Sequence, residues 1–162
     1  VTIDEDTTGY GDLESAYARY GTDLVRFAAV LVGPTDAADV VSEALVGCVR
    51  DADSWNTILD PRAYLYGAVC NQAKQWNRSR QRRLVRDGRW SRTRIPTATF
   101  EFDPEIWAAV RKLSVKQRAV LFLTYWEDLT PVETAARLGL AEGSVRSHLA
   151  RARLRLRKEL QR

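Results

Sequence analysis

Methionine is missing from this 162-residue chain, histidine occurs once, as His148, and cysteine twice, as Cys48 and Cys70. Each scarcity removes a class of chemistry. One histidine, with neither cysteine in a Cys-x-x-Cys pair, cannot supply the ligands of an ordinary structural zinc site. No serine, cysteine or carboxylate stands at triad spacing from His148, so it reads as a solvent or phosphate neighbour and not as a catalytic base. No metal, no cofactor and no catalysis are expected. The two thiols read as reduced, small apolar side chains on partly buried helices. No apolar run approaches the ~20 residues of a membrane span, so no membrane insertion is expected. The opening VTIDEDTTGYGD lacks the basic start and apolar middle of a secretory signal, and a cytoplasmic location follows as an expectation. Period-two alternation of β-branched residues is also lacking, which leaves no candidate strand.

What is present is enough apolar material for a core, 45%, and charge that is unevenly placed. Residues 1–60 carry twelve acids against three bases, whereas residues 71–94 carry nine bases against Asp87 alone. Residues 146–162 carry seven bases against Glu159. Two basic blocks separated in sequence point to a polyanion met at two places.

Apolar residues at Leu13, Tyr17, Tyr20, Leu24, Phe27 and Leu31 form a helical stripe, with Gly21 a possible break. Thr35 or Asp36 can cap a second helix that turns Val40, Val41, Leu45 and Val49 inward. RDADSWNTILD reads as a polar loop, and Asp60-Pro61 as a cap followed by a first-turn proline. From about Arg86 to Phe102 periodicity fails, as expected of a flexible linker. Asp103-Pro104 opens another helix, and Ser114 with Gln117 and Thr130 with Glu133 form two capping boxes. The expected fold is all-α: a helical domain over 10–85, a linker over 86–102, and a second small helical domain over 103–161.

The segment TPVETAARLGLAEGSVRSHLARARLRLRK carries the sharpest signal. Thr130 starts a two-turn helix, Gly139 suits a left-handed turn, and Val145, Leu149, Ala152 and Leu156 line the inner face of a second helix. This is the layout of a helix-turn-helix, whose second helix enters the DNA major groove. Its outer face shows Arg146, Ser147, Ala150 and Arg151, then Arg153, Arg157 and Lys158. The first of these are placed to read base edges, the later ones to meet phosphates.

Together the two halves resemble the extracytoplasmic-function group of bacterial RNA polymerase sigma factors. LSVKQRAVLFLTYWEDLTPVETAARLGLAEGSVRSHLARARLRLRKEL is similar to that group's promoter-binding domain four. LESAYARYGTDLVRFAAVLVGPTDAADVVSEAL and DPRAYLYGAVCNQAKQWNRSRQRR are similar to domain two and its promoter-melting helix. The resemblance implies a promoter-specificity subunit whose partners are promoter DNA and the clamp coiled coil and flap of core RNA polymerase, with an anti-sigma protein as a partner of many members. It implies polymerase contacts at Asp39, Val40, Val41 and Glu43. Trp55, Asn56, Asn71, Lys74, Gln75, Arg78 and Arg80 would serve the minus-ten element. Thr130, Ser144, Arg146, Ser147, Ala150, Arg151 and Arg153 would serve the upstream element. Trp55 and Trp76 are candidates either for base stacking or for the core. The chain departs from the family pattern at Ala38, Ser42, Gly67, Cys70, Thr124 and Ala141. Two other readings compete. One is a stand-alone helix-turn-helix regulator. The other is a nucleic-acid enzyme with a metal on Asp36, Asp39 and Glu43, which share a helix face.

Overall fold

The computed structural model describes residues 10–87 and 103–161, in eight helices and no strand. The start of the chain and most of the expected linker, residues 88–102, lie outside the described residues. The helices are α1 (Tyr10–Val32), α2 (Ala37–Arg50), α3 (Ala52–Trp55), α4 (Pro61–Asp87), α5 (Pro104–Val110), α6 (Val115–Tyr125), α7 (Pro131–Leu138) and α8 (Glu142–Leu160).

Local chemistry sets most of the boundaries. The Asp60 carboxylate accepts from the Ala63 amide at 3.0 Å and starts α4. Asp103 accepts from the Glu105 amide at 2.8 Å ahead of Pro104. Both capping boxes close in both directions, Ser114 with Gln117 and Thr130 with Glu133. The two hydrogen bonds from Thr130, amide and hydroxyl, lower the pKa of Glu133 from its ordinary value. Gly139 ends α7 at φ 62°, a left-handed conformation that costs a residue with a Cβ more than it costs glycine. α8 starts at Ala141 with no side-chain cap.

Three local expectations change. α1 runs unbroken through Gly21, and the Tyr17 ring one turn earlier lies against it; an added Cβ would meet that ring at 3.0 Å. Tyr17 is accordingly half-exposed instead of inward. The polar loop contains the single turn α3, anchored by Trp55, which is buried edge-on against Tyr64 at 5.9 Å. Asp36 precedes α2 without capping it. Its carboxylate instead accepts from Trp76 Nε1 at 3.2 Å and Arg80 Nη1 at 3.4 Å, tying the start of α2 to α4.

α1, α2 and α4 pack as one three-helix unit, and α6 and α7 with α8 as another. The two units share a core. Leu24, Phe27, Leu31, Val40, Val41, Leu65, Tyr66 and Val69 are continuous with Ala119, Phe122 and Leu123 from α6. Phe27 lies between Tyr66 at 4.9 Å and Phe122 at 5.6 Å. Polar links cross the same junction. Arg118 donates from Nη1 to the Leu31 carbonyl at 2.6 Å, at the carboxyl end of α1 where carbonyls lack helical partners. Its other nitrogens donate to the Leu113 and Arg111 carbonyls. Burial, with Arg111 nearby, lowers the Arg118 pKa to about 10, so it stays charged at neutral pH. Arg62 pairs with Glu127 at 3.2 Å and lies over the Tyr20 and Tyr66 rings, and Arg137 lies over Tyr66 from the other unit. The sequence predicts two tethered domains; the structure adds that they close on each other.

Candidate nucleic-acid interface

α8 buries Val145, Leu149 and Ala152 against α6 and α7, with Leu156 half-buried beside them, and this fixes which side faces out. At roughly 3.6 residues per turn, Gly143, Ser147, Ala150 and Leu154 run down the middle of the outer arc. Arg146, Arg153 and Arg157 form one edge of it, and Ser144, Arg151 and Lys158 the other. All ten residues are exposed. Small side chains between two cationic edges let a helix approach bases while guanidinium groups reach the phosphates on either side. Arg146 is held by Glu142 through Nε at 2.8 Å and Nη2 at 2.6 Å. Arg153 donates from Nε to the Tyr125 hydroxyl at 2.7 Å, so it leans on α6. Thr130 is exposed, with its hydroxyl engaged in the capping box.

α4 divides its polar residues between two sides. Asn71, Lys74, Gln75, Arg78 and Arg82 share one face, four of them exposed and Lys74 half-buried. Lys74 Nζ donates to Asn71 Oδ1 at 3.2 Å and orients the amide. Asn56 is exposed at the end of α3.

Four sequence-predicted residues are placed otherwise. Trp55 is 4% exposed and belongs to the core, so it does not offer a face to a base. Arg80 is on the far side of α4, ion-paired with Asp36. Val40 and Val41 are both buried, at 0% and 1%, and cannot meet a partner directly. The reason is that α2 packs against α1 and α4 at once, so its buried arc is wide enough to take two successive residues. The outward face of α2 is Asp39, Ser42, Glu43, Val46 and Arg50, all exposed. Glu43 accepts from Gln72 Nε2 at 3.0 Å. Trp76, the other stacking candidate, is half-buried with its indole N–H on Asp36.

Among the described residues no group of acids, histidine or cysteine is arranged to hold a metal ion. Asp36 faces Trp76 and Arg80 instead of joining Asp39 and Glu43. Cys48 and Cys70 are buried free thiols whose pKa values burial raises, consistent with inert core positions. No described helix is long and apolar enough to cross a membrane.

His148 was legible as a neighbour of arginines; its wider setting was not. Desolvation, then the positive charges of Lys116, Arg151 and Lys74, lower its pKa. Lys116 opens α6 and Lys74 sits on α4, so the basic residues of the two units are neighbours in the fold. Only the cap at Ser114 marks Lys116 in the sequence, and a cap says nothing of what lies opposite.

Comparison with known proteins accounts for both cationic helices. Residues 16–83 match the family model Sigma-70 region 2, and residues 104–156 match Sigma-70, region 4. The RNA polymerase sigma-E factor of Streptomyces coelicolor is 36% identical over 143 residues, covering 85% of this chain and 79% of that protein. The chain belongs to the extracytoplasmic-function group of RNA polymerase sigma factors. The sigma factor EcfG of Rhodopseudomonas palustris is 32% identical over 139 residues, covering 82% of this chain and 76% of that one. In solved structures, the sigma factor RpoE of Bartonella quintana, in complex with the anti-sigma factor NepR, superposes with a TM-score of 0.71. It is 26% identical and the match covers 93% of this chain and 97% of that one. CnrH, in complex with the cytosolic domain of CnrY, gives 0.60 at 25% identity, covering 92% and 87%. The region-2 match removes the stand-alone regulator reading, which leaves residues 12–85 without a promoter role. This sigma factor directs RNA polymerase core to promoters and assists DNA melting at initiation.

Proposed function

We propose that the sigma factor reads its promoter with two chemically distinct faces and performs no catalysis of its own. The α8 arc takes the duplex upstream element in its major groove. Arg146, Ser147 and Arg151 near the start of the helix are the base readers; Arg153, Arg157 and Lys158 are phosphate contacts. The α4 face takes the minus-ten element as a single strand. The Asn71 and Gln75 amides offer a donor and an acceptor each to an unstacked base, and Lys74, Arg78 and Arg82 neutralise the backbone beside it. The outward acidic face of α2, Asp39 and Glu43, docks on the polymerase clamp, and the second unit meets the flap. By likeness to RpoE and CnrH, an anti-sigma protein is a further partner.

The observation that carries this reading is the separation of chemistry. Amides flanked by cations lie on one helix, and small residues flanked by arginines on the other. Run-off transcription with core polymerase on random promoter fragments tests it. Recovered promoters should share two separated elements, and Asn71→Ala should impair open-complex formation while sparing duplex binding. Promoters with one element, or unchanged melting by the variant, would overturn it.

A further inference from the structure

A cavity of about 180 Å³ lies between the turn that joins α1 to α2, the middle of α4, the end of α5 and α6. Three arginines line it: Arg80 from α4, Arg111 just after α5, and Arg118 from α6. Arg80 is answered by Asp36 at 3.4 Å. Arg111 and Arg118 have no carboxylate partner among the described residues. Arg118 donates to the carbonyls of Leu31, Arg111 and Leu113. These bonds use three of the five N–H groups of a guanidinium and leave one on each Nη. Carbonyl oxygens orient the charge but do not neutralise it. Burial, then the like charge of Arg111, lowers the Arg118 pKa to about 10, as for a cation withdrawn from water with no anion beside it.

We propose that this cavity is a binding site for one free phosphate ion, held by Arg111 and Arg118 with the side chains of Thr35 and Asn77. Charge is the first reason. Two uncompensated guanidinium groups match a phosphate group, which carries about −1.5 to −2 near pH 7. Asp36, the one acid among the lining residues, is already engaged by Trp76 and Arg80 and leaves that excess in place. Geometry is the second. The donors come from four separate elements, which suits a tetrahedral acceptor better than a planar carboxylate. Thr35 is exposed at the wall, and Asn77, half-buried, spends one amide N–H on the Leu31 carbonyl at 3.3 Å and keeps another. Size is the third. Pockets for larger ligands run to ~300–1,000 Å³, so this one fits a small ion. At roughly 3.6 residues per turn, Arg80 lies across α4 from Asn71 and Gln75. The cavity is therefore turned away from the strip of α4 assigned to a DNA strand, and a free ion is its occupant. Bound there, phosphate bonds α5 and α6 to the turn after α1 and stabilises the folded chain by mass action.

The test uses the full chain and inorganic phosphate, with chloride at equal ionic strength as the reference. Phosphate also stabilises proteins in general by exclusion from their surface, an effect that does not saturate. A bound ion saturates. Thermal melts of the wild type should show a saturable rise in melting temperature, and calorimetric titration should show a single phosphate per chain. Arg111→Gln, at an exposed position, should keep the helix content and weaken phosphate binding about tenfold or more. Thr35→Val should weaken it by a smaller factor. Arg26→Gln, an exposed arginine of α1 outside the cavity, should leave it unchanged. A duplex without promoter elements should not displace the ion. Equal phosphate stabilisation of the wild type and Arg111→Gln overturns the proposal. So does a titration that never saturates, which would leave only surface exclusion. Displacement by the duplex also overturns it, since the cavity would then belong to the DNA surface.

Discussion

α4 and α8 are both long, basic helices, and composition alone does not tell them apart. Their difference lies in how much of each is enclosed. α8 is held along one narrow side by Val145, Leu149 and Ala152, so most of its circumference is free and arginine occupies both edges of the exposed arc. α4 is packed by α1, α2, α6 and α7. Two of its cations are therefore paired internally, Arg80 with Asp36 and Arg62 with Glu127. What it leaves outside is a strip of amides with a few cations. A helix free on most sides suits a groove, where contacts come from several directions. A helix free on one strip suits a single strand laid along it.

The comparison can be broken first at the core the two units share. Leu123→Ala removes a fully buried side chain at the junction and should cost about 2–5 kcal/mol in chemical denaturation. A loss below about 1 kcal/mol would mean the units do not pack together in solution. Next, Arg151→Ala should cost about 1–3 kcal/mol at the upstream element and relax its specificity, whereas Arg157→Ala should weaken all sequences alike and reduce the salt slope by about one. Equal, sequence-blind losses in binding titrations would merge the two edges of α8 into one phosphate surface. A smaller effect is expected from Ala141→Ser, which supplies the missing cap of α8 and should stabilise the protein by about 1 kcal/mol or less. Thermal melts check it, with DNA contacts unchanged.

Proton linkage sharpens the comparison most gently. The pKa of His148 lies below its ordinary value in the closed fold, where burial and Lys116, Arg151 and Lys74 surround it. As pH falls through the ordinary histidine range, the unfolded chain takes up a proton that the folded one resists. Stability of the closed fold should therefore be intact above about pH 7 and decline below about pH 6.5. His148→Gln should flatten that part of the profile; a profile unchanged by the substitution would show that His148 is not held below its ordinary pKa in the folded chain.

Legibility in the sequence followed the range of the interaction. Caps at Asp60, Asp103, Ser114 and Thr130, and the turn at Gly139, were readable because each is decided within a few residues. The inner face of α8 was readable for the same reason, since one packed side gives a clean period. Asp36 was not: its carboxylate had a local amide to cap and instead took Trp76 and Arg80 from forty and forty-four residues away. Val40 and Val41 were not, because a helix packed on two sides buries neighbours that a single stripe would split. Trp55 was ambiguous in principle, since an aromatic ring in a polar loop serves a base or a core equally well until Tyr64 is seen beside it.

By itself, then, the chain's order of residues determined helix against strand, the placement of caps, the helix-turn-helix and the positions of its positive charge. These depend on backbone propensity and on neighbours a turn away. Only the tertiary structure decided which cations are free and which are paired, and whether the two units touch. Those outcomes depend on which side chains meet across the junction, as Arg118 meets the Leu31 carbonyl eighty-seven residues before it. No periodicity in the sequence records such a meeting.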